Sequence, residues 1–583
     1  MLAPRVRGAF GRTVIGFLTV LAACSNGTEP KPNGCDSAAP LSLTPGQVQT
    51  ALAGTCVYLS GAGEYALIPF NTDTIYSSTA ALSFTATGAS KIATPLKVLM
   101  PVASPMFNAI PSLTGSTQPI QLAPSYEIQL RESERRVLKP LMSGARSWYS
   151  NRFASGGTTT GFRPSFSTTA ATVAVGDTIA LNTRSGNTLA DACQTPDIRT
   201  GIVQAVSQHA IVLADTGNPA GGYTSTDYQS IGVQFDSVYA MDTTAFGQPT
   251  DIDSNQHVIM FFTRAVNELT PRASASVVGG FFYARDLFPK QDSPQLGTGS
   301  GCATSNVAEM FYLMVPDPNG IVNGNVRTKT FVSHLTVSTT AHEFQHLINA
   351  SRRLYINTSA TDFEVVWLNE GLSHIAEELL FYQQSDGLAP RKDIDSTRFV
   401  SDQKNVDAYN FDQQSNFGRF REYLQRPSTS SPYAPDDSLW TRGATWSFLR
   451  YAADHRGTSD GDTWQKLVNS SQTGIPNLMG VFGNGLPAIF RDWAIANLAD
   501  DVPSVASEWQ HPSWNFRSVF DFIPSIKQYP LSTLTVGDGS PLTVTLKGGS
   551  AAYVRFTIAA GQTGSVKWGT LPSNVAMNLV RLN

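Results

Sequence analysis

The segment Thr340-Ala341-His342-Glu343-Phe344-Gln345-His346 sets two imidazoles four residues apart, with a carboxylate beside the first. On a helix this spacing is ~6 Å of rise and about one turn, so both rings leave one face toward a common ion. Glu343, one position on, stands ~100° further round and can reach a water at that ion without competing as a ligand. Phe344, Leu347 and Ile348 point away, toward a core. In a chain with 8 His, chance produces such a string roughly a few times in a thousand comparable sequences. The competing local reading is a helix start, in which Thr340 and Glu343 form a Thr-x-x-Glu capping box.

A cation held for chemistry takes three protein ligands and keeps one position for water, whereas structural zinc is closed by four. A third ligand is therefore required. Downstream, Val366-Trp367-Leu368-Asn369-Glu370-Gly371-Leu372-Ser373-His374 carries a carboxylate inside a second helical pattern, with 23 residues between His346 and Glu370. A carboxylate there, on a helix packed against the first, would complete a His2Glu site, with Glu370 and Glu364 both candidates. The metzincin arrangement needs Gly three and His six residues after His346; Asn349 and Arg352 stand there, which excludes it.

These residues need elements to carry them. After Val332 the pattern is helical, with helices expected over 334–354, 362–383, 416–424, 440–454 and 487–498. Before it, short strand-like runs such as Thr178-Ile179-Ala180-Leu181 and Gly201-Ile202-Val203-Gln204-Ala205-Val206 suggest a small barrel-like sheet, continued by strand signals at 258–263, 280–283 and 310–315. Glu309 to Val315 reads either as an edge strand able to pair with an extended peptide or as a buried central strand. Strands first and helices after is the order of an α+β unit. We therefore expect a catalytic domain over 173–526, with a β-rich lobe at 173–331 and a helical lobe at 332–526. Alternating runs at 41–125 and 527–583 predict separate N-terminal and C-terminal β-sandwich domains, with a helical connector and linker at 126–172. A length of 583 residues is too great for one core and suits several domains.

The ends of the chain speak to location. Arg5, Arg7 and Arg12 precede a short apolar stretch that is too brief to span a bilayer and reads as an export signal over 1–24. It closes in Leu21-Ala22-Ala23-Cys24, which resembles the lipobox of bacterial lipoproteins. That resemblance implies a lipid on Cys24, a flexible tether at 25–40 and an exported protein anchored to a bacterial membrane, at the outer membrane or cell surface. Lys plus Arg (41) nearly balances Asp plus Glu (45), so no basic field attracts nucleic acid. Cys35, Cys56, Cys193 and Cys302 allow three disulfide pairings. Proximity along the chain favours Cys35 with Cys56 and Cys193 with Cys302.

Taken together, His342-Glu343-Phe344-Gln345-His346-Leu347-Ile348-Asn349 and Trp367-Leu368-Asn369-Glu370-Gly371 resemble the gluzincins, whose HExxH helix is followed by one bearing a Glu ligand. The chain is most similar to the hyicolysin family of secreted bacterial peptidases, with further likeness at Asp251 to Asn255, Gly279 to Asp286 and Tyr312 to Gly320. The resemblance spans roughly Val173 to Leu498. It implies a thermolysin-like fold, zinc held by His342, His346 and Glu370, Glu343 as general base, and a protein or peptide substrate.

Where thermolysin-like enzymes place an Asp one turn after the Glu ligand to hold an imidazole, this chain has His374, and Glu377 is the candidate substitute. Aminopeptidase-type relatives use a Tyr before Lys-Gly as transition-state donor; Trp440-Thr441-Arg442-Gly443 offers none, leaving Tyr433, Tyr451 or His455, with Tyr433 preferred. Asp251, Asp253 and Asn255 echo the start of a Ca2+ loop, but Gln256 and Phe262 stand where an EF-hand needs Gly and Glu, so a turn competes with the calcium reading. Two other classes remain open: a surface binding or adhesion lipoprotein with a structural or inactive zinc site, and a zinc hydrolase of non-peptide amides.

Overall fold

The alternating apolar and polar runs at the two ends of the chain fold into one β-sandwich. The computed structural model describes residues 35, 39–92, 124–154, 173–185, 192–274, 277–290, 301–523 and 528–583. The export signal, Cys24 and most of the 25–40 tether lie outside the described residues, as does 93–123 of the expected N-terminal β domain.

Two five-stranded sheets make the sandwich, and both are mixed in origin. In one, the strand Gly63–Asn71 lies between Val554–Ile558 and Val575–Arg581, antiparallel to both. In the other, Thr563–Lys567 lies between Cys56–Ser60 and Thr79–Thr87. Leu59, Leu67, Leu82, Phe84, Phe556, Trp568 and Leu579 share the core between the sheets. The expected separate N-terminal and C-terminal domains are therefore corrected to one sandwich: apart from two two-residue pairings, the described strands of each segment pair with strands of the other and cover a shared core. Gly63–Asn71 is buried on both faces: Tyr65 and Leu67 face the sandwich core, while Ala66, Ile68 and Phe70 join the core of the main body. Tyr553 fastens the junction, its hydroxyl donating to Ala494 O at 2.8 Å.

The main body is α+β. Six strands form one sheet in the spatial order 280–282, 310–313, 258–262, 210–215, 198–206, 178–182. It is open rather than barrel-like, because its two ends belong to different strands that do not pair. Met310–Leu313 is the buried central strand of the two readings, lying between Gly280–Phe282 and Val258–Phe262. Parallel pairs need both faces covered, and Val258–Phe262 is buried at every residue.

Helix α1 (Pro124–Ser133) runs into a π turn at Glu134–Leu138 and packs Tyr126 against Phe281. Helix α2 (Ser225–Phe246), inside the lobe expected to be β-rich, starts on a capping box between Thr224 and Asp227. On one sheet face α2 meets α3 (Lys329–Ser351), with Phe235 touching both Phe311 and Phe344. Beyond follow α4 (Val366–Gln384), α5 (Gln414–Leu424) and α6 (Leu439–Arg456).

The disulfides are Cys35–Cys56 and Cys193–Cys302, and the second closes 109 residues of chain across the main body. Among the described residues no helix is long and apolar enough to cross a membrane.

Candidate metal centre

Thr328 caps α3 by accepting from Phe331 N, so the helix begins well before Thr340. This disposes of the capping-box reading of Thr340 and Glu343. From Thr340 to Ser351 every residue of α3 is buried, which keeps the HExxH turn out of bulk water. The His342 and His346 rings stand almost perpendicular with centroids 4.8 Å apart.

Helix α4 crosses the same turn and brings Glu370 between the two rings. Glu370 Oε2 lies 3.4 Å from His342 Nε2, and Oε1 lies 3.4 Å from His346 Nε2. Zinc bonds of about 2.0–2.1 Å in tetrahedral geometry place ligand atoms ~3.3–3.4 Å apart, so these separations suit one ion between the three. The carboxylate is fully buried and neither oxygen has an aligned hydrogen bond. A buried anion without such bonds is costly, and a cation at this point would offset that cost. The residues present therefore fit zinc.

Arginine supplies part of the balance. Arg442 Nη1, on α6, approaches Glu370 Oε2 at 2.7 Å as a charge contact whose angles are not those of a hydrogen bond, and Arg442 also grips Asp437 through Nε and Nη2 at 2.8 and 2.7 Å. Burial opposes charge on Glu370, but Arg442 and the two histidines hold its carboxyl well below the usual carboxylate range.

Outside the three sits a ring of partners that aim them. Glu377, seven residues after Glu370 and so two turns along α4, places Oε1 2.8 Å from His342 Nδ1. One helix thus brackets one imidazole with two carboxylates. Burial works against a charged His342, but Glu370 and Glu377 outweigh it and push its pKa up to about 10. Ligation would require that proton to leave, so metal binding here competes with protons. His346 Nδ1 lies 3.0 Å from Ser373 Oγ; burial and the nearby Arg131 charge push His346 down to about 3.

Glu343 does not face the ligand triangle alone. Its Oε2 accepts from Phe282 N at 2.9 Å, on the edge strand. Burial raises it to about 7, against the pull of His342 and Arg131. On the outer side of that strand, Glu134 Oε1 accepts from Ala284 N at 2.9 Å and Arg131 Nη2 donates to Phe282 O at 3.4 Å. The segment running on from α1 therefore lies against the sheet edge that borders Glu343.

Other expected residues fall elsewhere. Glu364 is bound to Arg353, Gly474 N and Asn477 at 2.5–2.7 Å, which commits it to a structural role. Tyr433 is corrected as a transition-state donor: its hydroxyl donates to Asp73 O at 2.6 Å, at the sandwich junction, and burial raises its pKa. Tyr451 donates to Glu508 O, and His455 Nε2 lies 3.0 Å from Gln510 O. His374 is buried beside Glu377, with Nδ1 at 3.2 Å from Oε1. The residues 251–257 form a turn: Asp251 Oδ1 accepts from Asn255 N and Gln256 N, while Asn255 turns its amide to Asp253 and its oxygen to His257 N. Asp251, Asp253 and Glu309 each bring an oxygen within 4.8 Å of the others.

Arg442, Arg419, Ser373 and Arg131 were not singled out from the sequence.

Fold and cluster together define the class: an α+β protein with a buried His2Glu group able to hold a metal ion beside a further carboxylate. No protein-family model matches the chain. Over 164 residues it is 28% identical to the neutral metalloprotease ShpI of Staphylococcus hyicus, a stretch that is 28% of this chain and 33% of that protein. The chain thus matches about a third of that relative's length.

Proposed function

We propose that this chain is a zinc metallopeptidase of the hyicolysin type, with a thermolysin-like (gluzincin) main body, exported and held to a membrane by a lipid on Cys24. One observation carries the catalytic part of the reading. His342, His346 and Glu370 present ligand atoms at zinc spacing while Glu343, on the same helical turn, keeps a carboxylate that the ligand set does not use. A structural site has no need of such a base. The likeness to a neutral metalloprotease supports the reaction class, and Leu21-Ala22-Ala23-Cys24 supports the anchor.

Zinc, when bound, lowers the pKa of water to about 7 and polarises the scissile carbonyl. Glu343 removes a proton from the attacking water as its oxygen bonds to the carbonyl carbon, then delivers that proton to the amine nitrogen as the C–N bond breaks. The Phe282 N–H fixes Glu343 Oε2, leaving Oε1 for the water. Glu377 aims the His342 imidazole, which limits rearrangement during the reaction, and Ser373 Oγ packs against His346, 3.0 Å from Nδ1 and 3.3 Å from Nε2. A peptide approaching along the sheet edge meets Arg131 and Glu134 before Glu343, so this segment must yield for a long substrate to dock.

The test is digestion of casein by purified protein with and without a chelator, followed by zinc. Hydrolysis abolished by chelation and restored by zinc supports the reading; chelator-resistant hydrolysis, or none under any condition, removes it.

A further inference from the structure

His342 belongs to two overlapping groups that could each grip a cation. One is His342, His346 and Glu370; the other is His342, His374 and Glu377. Both are buried, both contain two imidazoles and a carboxylate, and a single helix, α4, supplies the non-shared carboxylate of each. Something must choose between them.

Arg419 differs in its relation to the two. From α5 it places Nη1 3.0 Å from Glu377 Oε2 and 3.3 Å from His374 Nδ1. Asn416, one turn earlier, holds the guanidinium through Oδ1 at 2.9 Å and is itself anchored to His374 O at 3.2 Å. A fixed positive charge therefore already touches two of the three members of the second group. A divalent ion there would meet like charge in a medium of low dielectric. Arg442 touches Glu370 of the first group at 2.7 Å, closer than Arg419 approaches Glu377, but Asp437 grips Arg442 in two hydrogen bonds, which balances its charge, whereas Arg419 draws its counter-charge from Glu377, a member of the second group itself. The bond from Arg419 also turns Glu377 so that its other oxygen faces His342 Nδ1, which leaves Nε2 as the ligating nitrogen.

We infer that Arg419 is a positioning residue that directs the cation into the His342, His346 and Glu370 group and reserves Glu377 as the partner of His342. The residue is buried yet borders the same cleft as His342 and Glu343, so its removal opens room at the second group rather than at the protein surface. This inference rests on the zinc reading above. Without the guanidinium, Glu377 is free to share an ion with His374, and His342 loses its fixed tautomer.

Zinc affinity by chelator competition, together with the visible spectrum of the Co2+-substituted protein, tests it on four full-length forms: unaltered, Arg419→Gln, Arg419→Lys and Arg419→Gln with His374→Ala. The expected result is a 10–100-fold loss of affinity and an altered Co2+ spectrum in Arg419→Gln. Arg419→Lys should recover most of both. Adding His374→Ala to Arg419→Gln should return the spectrum toward that of the unaltered protein. An unchanged affinity and spectrum in Arg419→Gln overturns the inference, as does a loss that lysine fails to rescue. Should Arg419→Gln not fold, Glu377→Gln is the second probe, with the same loss of affinity expected and an unchanged affinity overturning the inference. Failure of the unaltered protein to bind zinc at all overturns the zinc reading instead, so the two failures are distinct.

Discussion

A Cβ on Gly443 would overlap the carbonyl carbon of Arg419. The two helices that carry the arginines behind the candidate ligands are thus in backbone contact, and that contact exists only because Gly443 has no side chain. Gly371 plays the same part between α4 and α6, where a Cβ would meet Thr445 and lie 3.0 Å from Leu449. Gly371, next to Glu370, lets α4 and α6 close until Glu370 and Arg442 pair, and Gly443, next to Arg442, lets α6 seat against the helix that carries Arg419.

Gly443→Ala should therefore be more disruptive than an ordinary helix Gly to Ala change. Overpacking costs about 1–3 kcal/mol and sometimes more, and here the obstacle is backbone, which cannot rotate aside. Urea unfolding should show a lowered midpoint, and zinc affinity should fall because Arg419 and Arg442 move together. Gly371→Ala meets mainly a threonine side chain and should be milder. Equal midpoints for Gly443→Ala and the unaltered protein would contradict the packing described.

Removing the side chains that cover the sheet edge should favour substrate. Arg131→Ala with Glu134→Ala frees Phe282 O and Ala284 N for an extended peptide. The expected outcome is a several-fold rise in kcat/KM on casein, carried by KM. A fall in kcat/KM would place Arg131 among the groups that assist the reaction.

The two chain ends should depend on each other. A chain stopped at residue 530 loses the strands of 534–581 from both sheets, so residues 41–92 should become sensitive to limited proteolysis. Persistence of a protected 41–92 fragment would restore the independent N-terminal domain.

The disulfide across 109 residues should matter more than the one across 21. Restricting the unfolded chain is worth about 4–5 kcal/mol for the longer loop and roughly 3 for the shorter. Urea unfolding of Cys193→Ser with Cys302→Ser, against Cys35→Ser with Cys56→Ser, checks the order; a larger loss for the second pair would contradict it.

His511 gives a pH signature away from the metal centre. Burial, with His455 and Arg517, pushes it down to about 3, while an unfolded histidine titrates near ~6.5. Between those values the unfolded chain binds a proton that the folded chain does not. Stability should thus fall as pH drops from about 6.5 toward about 3, by up to ~1.4 kcal/mol per pH unit from this residue, and be insensitive to it above about 6.5. In His511→Asn the thermal midpoint should decline less steeply over that window. Parallel declines would contradict the assignment.

The parts of this molecule that were legible in the sequence are those fixed by one element. His342 and His346 meet because a single helix sets their spacing, and the five expected helices after Val332 appear with shifted ends. Glu370 needed a likeness to known proteins, since nothing local states which helix crosses α3. Arg419 and Arg442 were beyond reach: their place depends on a close approach at Gly443 that no periodicity encodes. Helix α2 was missed because its Ser, Thr and Gly content hid the apolar stripe, although Thr224 and Asp227 mark its start. The sandwich was divided in two because pairings such as Leu67 with Val554 and Leu579 join residues roughly five hundred positions apart.

The most direct measurement of the central claim is the zinc content and peptidase rate of Glu343→Gln. Glu343→Gln should hold one zinc per chain, as the unaltered protein does, with hydrolysis lowered by about 10²–10⁴ or more. A zinc-loaded Glu343→Gln protein that cleaves casein at the unaltered rate would contradict that claim.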